Sequence, residues 1–280
     1  MRPPQGMDFD FTQPRGEPAL VPPNSISWRI FKNPVSLFVG GVAAVILELA
    51  EPSVRSGVWE HSSFRRDAVT RLRRTGFAAM MTVYGPRSAA ERMIERVMRM
   101  HDRVRGTTPE GRPYHANDQR LLDWVQGTAP YGFIEAYHRF VRPLAADERS
   151  RAFAEGAVAA RLYGALGAPA SLQEWQRMLA ETEPALQPSD TIFEFLDIMG
   201  SAPIAPRPFR PIQRLLIRAA VDLTPPELRR KLGLEEYGLS AMQRKLVETM
   251  GQASEKLPLL TAPPAQASVR MGLEPDYLYR

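Results

Sequence analysis

The sequence predicts an all-α protein, and three observations carry that reading. Apolar residues recur at three- and four-residue spacing through most of the chain. Capping residues stand at the head of several of these segments. No alternating apolar–polar run exceeds four residues, and no fixed repeat period appears. The 26 prolines exceed the usual share of about 5%. They cluster before residue 35, between Pro184 and Pro226, and after Pro258, where they mark loops and tails rather than helix interiors.

Residues 1–34 read as an extended, proline-rich N-terminal arm, with a short helix near Ser25–Phe31 broken at Asn33-Pro34. The apolar run Val35–Leu47 then opens a helix that ends at Ala50. It is shorter than the ~20 residues of a membrane span. It also contains Gly40-Gly41 and closes on Glu48 and Glu51, so a buried core helix is expected. Pro52–Arg66 is mixed, with Trp59, Glu60, His61 and Phe64 grouped as pocket lining or as plain core. Asp67 caps a helix over Ala68–Tyr84. Ser88, with Glu91 three positions on, has capping-box spacing for a helix over Ala89–Val104, which Gly106 terminates. After a loop, Asn117 caps Asp118–Gln126. Further helices follow at Pro130–Val141, Asp147–Leu166, Ser171–Glu183 and Ser189–Met199. Residues 200–211 form a loop with four prolines. Ile212–Leu223, Pro225–Lys231 (behind Thr224 as its cap) and Ser240–Lys256 complete one helical domain, 35–256. Residues 257–280 read as an irregular C-terminal tail.

Composition excludes several chemistries. With no cysteine, disulfides, cysteine-bound zinc, iron–sulfur clusters, thiolate-ligated haem and a cysteine nucleophile are ruled out. Four histidines leave few ways to build a multi-histidine metal site. The net charge of +5 is spread along the chain. No basic stripe interleaves with aromatics, so nucleic acid is not an expected partner. No secretory pattern opens the sequence, and a cytoplasmic location is expected, with peripheral contact to an anionic membrane surface left open. Phosphate-loop, dinucleotide-loop, His-Glu-x-x-His and nucleophile-elbow patterns are absent.

The stretch with most chemical content is Arg71–His101. On its second helix, Ile94, Val97, His101 and Val104 follow 3-4-3 spacing, which puts His101 on an apolar face. On its first helix, Arg71 and Thr75 share a face that Ala78, Ala79 and Thr82 continue, and Gly76 leaves room. A flat group held between the helices would meet an imidazole on one side and an arginine and threonine on the other. The spacing equally allows a core histidine bonded to a carbonyl.

Several pieces together resemble the catalytic domain shared by the rubber oxygenases (latex-clearing proteins) and the fungal MpaB oxygenase. They are Gly40-Gly-Val-Ala-Ala-Val-Ile-Leu-Glu-Leu-Ala-Glu-Pro52, Glu60-His-Ser-Ser-Phe64, Arg71-Leu-Arg-Arg-Thr75, His101-Asp-Arg-Val-Arg-Gly106, Tyr114-His-Ala-Asn-Asp118, Leu122-Asp-Trp-Val125 and Arg161-Leu-Tyr-Gly-Ala-Leu-Gly167. Each is weak alone; their order over about residues 35–245 is specific. The resemblance implies a globin-like helical core with added helices, and haem b as cofactor, with His101 as the proximal iron ligand. It implies a catalytic set of Arg71, Arg74, Thr75 and Glu60 and a haem wall of Arg71, Thr75, Ala78 and Ala79. Arg74 stands where the rubber oxygenases carry a lysine. A guanidinium stays charged and ligates poorly, so an open or water-bound sixth iron position, or ligation by another distal base, is expected. The family's basic carboxylate matches Glu48, Glu51 or Glu60, and spacing does not choose among them.

Besides a helical partner-binding module that has lost the cofactor, two function classes follow from this. The first is a haem-b oxygenase that uses dioxygen on an apolar, unsaturated, isoprenoid- or lipid-like substrate. The second is a helical protein that binds haem or a hydrophobe without turnover.

Overall fold

The computed structural model describes residues 8–280; the first seven residues of the predicted arm lie outside them. The described part is predominantly helical, with a single small hairpin. In order the elements are α1 (Ile26–Lys32), α2 (Pro34–Ala50), α3 (Pro52–His61), α4 (Ala68–Tyr84), α5 (Arg87–His101), β1 (Arg105–Thr107), β2 (Pro113–His115), α6 (Gln119–Phe140), α7 (Ala146–Leu162), α8 (Leu172–Thr182), α9 (Asp190–Ser201), α10 (Arg210–Leu223), α11 (Pro226–Lys231), α12 (Ala241–Glu255) and α13 (Pro263–Arg270).

The centre is the α2–α6 pair, around which α10, α12 and α7 pack. Two glycines let these two backbones touch. A Cβ on Gly40 would lie 2.7 Å from Phe133 Cα and 2.8 Å from the Gly132 carbonyl, and a Cβ on Gly132 would strike the Gly40 carbonyl. The neighbouring Gly41 has room for a Cβ, which would make only ordinary contact with the Phe133 ring at 3.8 Å. Gly40→Ala is therefore expected to destabilise by about 2–3 kcal/mol through overpacking. Gly41→Ala is expected to be neutral or to gain about 0.5–1 kcal/mol of helix propensity. Urea denaturation of the two variants checks this contrast.

No single helix among the described residues is long and apolar enough to cross a membrane. The apolar run of α2 is core: Val39, Ile46, Leu47, Leu49 and Ala50 are fully enclosed. A second apolar cluster joins the arm (Phe11, Leu20, Val21), Trp28, Tyr84 on α4, Met93 and Ile94 on α5, and the C-terminal Ala267 and Leu278.

Several local expectations change for identifiable reasons. Pro52–Arg66 contains a helix, α3, because Pro52 occupies its first turn and the buried Glu51 side chain caps it, accepting from the Val54 amide at 2.8 Å. Pro130 does not divide α6. The continuous face of Trp124, Tyr131, Ile134, Tyr137 and Phe140 buries too much surface for one lost amide to break it. Asp118 rather than Asn117 caps α6. Ser88 does not cap α5; its amide donates instead to Glu17 of the arm at 2.6 Å. The helix α5 stops at His101 because the chain turns into β1, whose register sets Gly106 opposite Tyr114. Three-residue strands are too short to show alternation. The expected irregular tail contains α13. There Arg270, fully buried, donates to the carbonyls of Phe11 (2.7 Å), Glu17 (2.9 Å) and Tyr84 (2.6 Å). It clips the tail to the arm and to the end of α4.

Candidate active site

Each wall of the site starts from a helix with one uncovered strip. On α2, Gly41, Val45 and Glu48 share a face at i, i+4 and i+7 and keep accessible surface, although the other residues from Val39 to Ala50 are buried. On α6, Val125, Ala129 and Phe133 form a matching half-buried strip. Opposite stand Arg71 on α4 and His101 at the end of α5, both half-buried. The helix α4 packs chiefly on α1, α5 and α13, while α2 packs chiefly on α6.

Glu48 is the most perturbed carboxylate of this group. Burial pushes its carboxyl up to about 7, against the Arg71 guanidinium and the Thr128 hydroxyl, which pull it down. The buried Thr128 Oγ1 lies 3.5 Å from Glu48 Oε1 and 3.0 Å from the Val125 carbonyl. One hydroxyl has one proton to donate. A protonated Glu48 resolves the conflict by donating to Thr128, which then donates to Val125. Burial also lowers the Arg71 pKa, opposed by Glu48 and assisted by Arg74.

His101 sits in a different environment. Burial pushes its imidazole pKa below the ordinary value; Asn117 and Asp102 oppose the shift, and Arg71 and His115 add to it. The ring is therefore neutral at neutral pH, the form in which histidine binds metals. Its Nδ1 is buried without a hydrogen-bond partner, and so is Asn117 Oδ1. Asn117 is itself fixed. Its Nδ2 donates to Asp102 Oδ1 (2.7 Å) and to the Met98 carbonyl (3.3 Å), and its amide donates to His115 Nδ1 (3.2 Å).

Of the residues singled out in the sequence, Arg71 and His101 come together, and Glu48 joins them. Thr75 and Arg74 are exposed on α4, and the Thr75 hydroxyl donates to the Arg71 carbonyl at 3.0 Å. Ala78 and Ala79 are half-buried further along the same helix. Glu60 stands apart, exposed on α3, where the Tyr114 hydroxyl donates to it at 3.0 Å. Burial and that bond push the Tyr114 phenol up to about 12. Glu51 is engaged elsewhere, capping α3 and pairing with Arg120 at 3.0 Å. The other histidines are structural: His61 meets Tyr114 (3.2 Å), His115 receives the Asn117 amide, and His138 receives the Leu144 amide (2.8 Å). The role of Asn117 beside His101 is not visible in the sequence, where it reads only as a helix cap.

Residues 28–254 match the family model described as ER-bound oxygenase mpaB/B'/Rubber oxygenase, catalytic domain. No curated protein and no solved structure matches the chain.

Proposed function

The chain belongs to the mpaB and rubber oxygenase catalytic-domain family, and from that membership we propose a haem-b-dependent oxygenase acting on an apolar, unsaturated, isoprenoid- or lipid-like substrate. The observation that carries the reading is that Arg71 is coupled both to Glu48 and to a neutral His101, with half-buried apolar strips on α2 and α6 beside Glu48. Among the described residues, no three His, Asp or Glu side chains could hold a metal ion together. A metal at His101 therefore needs most of its ligands from a prosthetic group, and a tetrapyrrole supplies four nitrogens in one plane. The strips Gly41–Val45 and Ala129–Phe133 suit the face of such a ring.

In this reading Asn117 Oδ1 accepts from His101 Nδ1–H and fixes the tautomer, so Nε2 is the ligating nitrogen. Haem, when bound, supplies the redox chemistry that activates dioxygen. The protein's own contribution is polar placement in a dry site. Arg71 provides a fixed positive charge for a propionate or a developing oxyanion. Glu48, poised near neutrality, takes a proton from the substrate as general base and holds it at its carboxylate against Thr128. Arg74 and Thr75 stand at the exposed edge of α4, where they meet a group that enters from solvent. The apolar strips exclude water and receive the hydrocarbon.

The test is expression with haem precursor, followed by an absorption spectrum and incubation with polyisoprene or an unsaturated lipid under oxygen. A Soret band with oxygen-dependent formation of carbonyl products is expected. A protein that stays colourless after haem reconstitution would overturn the proposal. A Soret band without oxidation of any lipid would leave the non-catalytic haem-binding class in its place.

A further inference from the structure

The chain between α9 and α10 makes a projecting knuckle, residues 202–214. The buried Gln213 shapes it. Its Oε1 accepts from the Ala205 amide (3.1 Å), and its Nε2 donates to the carbonyls of Met199 (2.6 Å) and Ala202 (2.9 Å). These bonds draw the loop back over the first turn of α10. Ile204, Phe209 and Ile212 are thereby brought to the surface, 37%, 53% and 37% exposed.

The backbone there is unusually free of donors. Pro203, Pro206, Pro208 and Pro211 have no N–H. The amides of Ile204 and Phe209 are turned inward onto Ala202 and Pro206. Little backbone polarity would be stranded if the tip left water.

Charge completes the pattern. Arg207 and Arg214 are exposed and Arg210 is half-buried, with its Nε enclosed and unpartnered. Among the described residues none of the three makes an ion pair, and no Asp or Glu occurs between Asp197 and Asp222. Some exposed arginines elsewhere are paired, as in Arg65–Glu194 and Arg99–Glu95; here three cationic side chains surround an apolar tip with no carboxylate in the same segment.

An apolar tip and an uncompensated cationic ring ask for hydrocarbon and phosphate at the same place, which an anionic bilayer interface offers. We propose that this knuckle docks the protein peripherally on an anionic phospholipid surface, with Phe209, Ile204 and Ile212 in the acyl boundary and Arg207, Arg210 and Arg214 on the headgroup phosphates. The proposal does not depend on haem or on the oxygenase reading, and either can fail alone.

The experiment is co-sedimentation of the full chain with vesicles of phosphatidylcholine alone and with about one third phosphatidylglycerol. Binding to the anionic vesicles, weakened by salt and far weaker on pure phosphatidylcholine, is expected. Replacing all three arginines (R207Q, R210Q, R214Q) should lower partitioning about a hundredfold, from roughly fivefold for each charge. Phe209→Ser, with the charges intact, should lower it about tenfold. Circular dichroism verifies that both variants fold. Absence of binding to the anionic vesicles overturns the proposal, as does equal binding by wild type and the triple variant. So does a concentration-dependent dimer lost in Phe209→Ser, or arginine-dependent binding to nucleic acid in place of vesicles.

Discussion

Replacing His101 by alanine is expected to remove the Soret band of the haem-supplied protein. Loss of an outer-shell partner of a metal ligand already costs 10–100-fold in affinity, so loss of the ligand itself should cost about a hundredfold or more. His101 is half-buried at the end of α5, and in this reading its one internal partner is the Asn117 side chain, itself held by Asp102 and Met98. Its removal takes away at most the contact with Asn117, which Asp102 and Met98 still hold, and should leave the fold intact, with an unchanged circular dichroism spectrum. A His101→Gly variant that regains the band on addition of imidazole would separate loss of the ligand from loss of structure. A spectrum unchanged in His101→Ala would show that haem, if bound, is held elsewhere.

The second large effect belongs to Glu48. In the unfolded chain its carboxyl titrates near the ordinary 4.5, and in the folded protein near 7. Below pH 4.5 it is neutral in both states and its burial carries no charge penalty. Between 4.5 and 7 the unfolded chain ionises first, so stability falls by ~1.4 kcal/mol for each pH unit. Above 7 both states are ionised and the loss levels off at about 3 kcal/mol. Glu48→Gln should abolish this slope. It should match wild type near pH 4.5 and exceed it by about 3 kcal/mol, or ~6 °C in melting temperature, at pH 8. As general base Glu48 should also matter for turnover, with a loss of roughly 10²–10⁴-fold in Glu48→Gln. Denaturation at pH 4.5 and pH 8, followed by product assays, measures both. Parallel pH–stability curves for the two proteins would refute the perturbed carboxyl.

Much of this fold is written locally. Asp67, Ser171 and Ser189 cap helices at the positions their sequence context announces, because a cap needs only its own first turn. The apolar run of α2 reads as core because Gly40-Gly41 and the closing glutamates suit a helix among helices. The misreadings are tertiary. Pro130 has the local signature of a break, and only the aromatic face running past it holds α6 together. Glu17 caps α5 from some 70 residues away, a partner no local pattern reveals.

The site divides in the same way. Arg71 and His101 are legible from helical spacing and family resemblance. The choice among Glu48, Glu51 and Glu60 is not, because what separates them is the tertiary partner that each side chain meets. Glu51 is consumed by α3 and Arg120, Glu60 by Tyr114, and Glu48 alone meets Arg71.

The clip made by Arg270 has a further consequence for how the family region is bounded. The matched residues run from 28 to 254, yet Phe11, Leu20 and Val21 on one side and Ala267 and Leu278 on the other lie outside them. These outer pieces cover Met81 and Tyr84 on α4 and Met93 and Ile94 on α5, the helices that bring Arg71 and His101 to the site. The two ends act as a clasp, fastened through the carbonyls of Phe11 and Glu17 across more than 250 positions of sequence. Cut at its homology limits, the family segment would lose the outer cover of both helices, so in this protein the boundary of kinship and the boundary of the folding unit do not coincide.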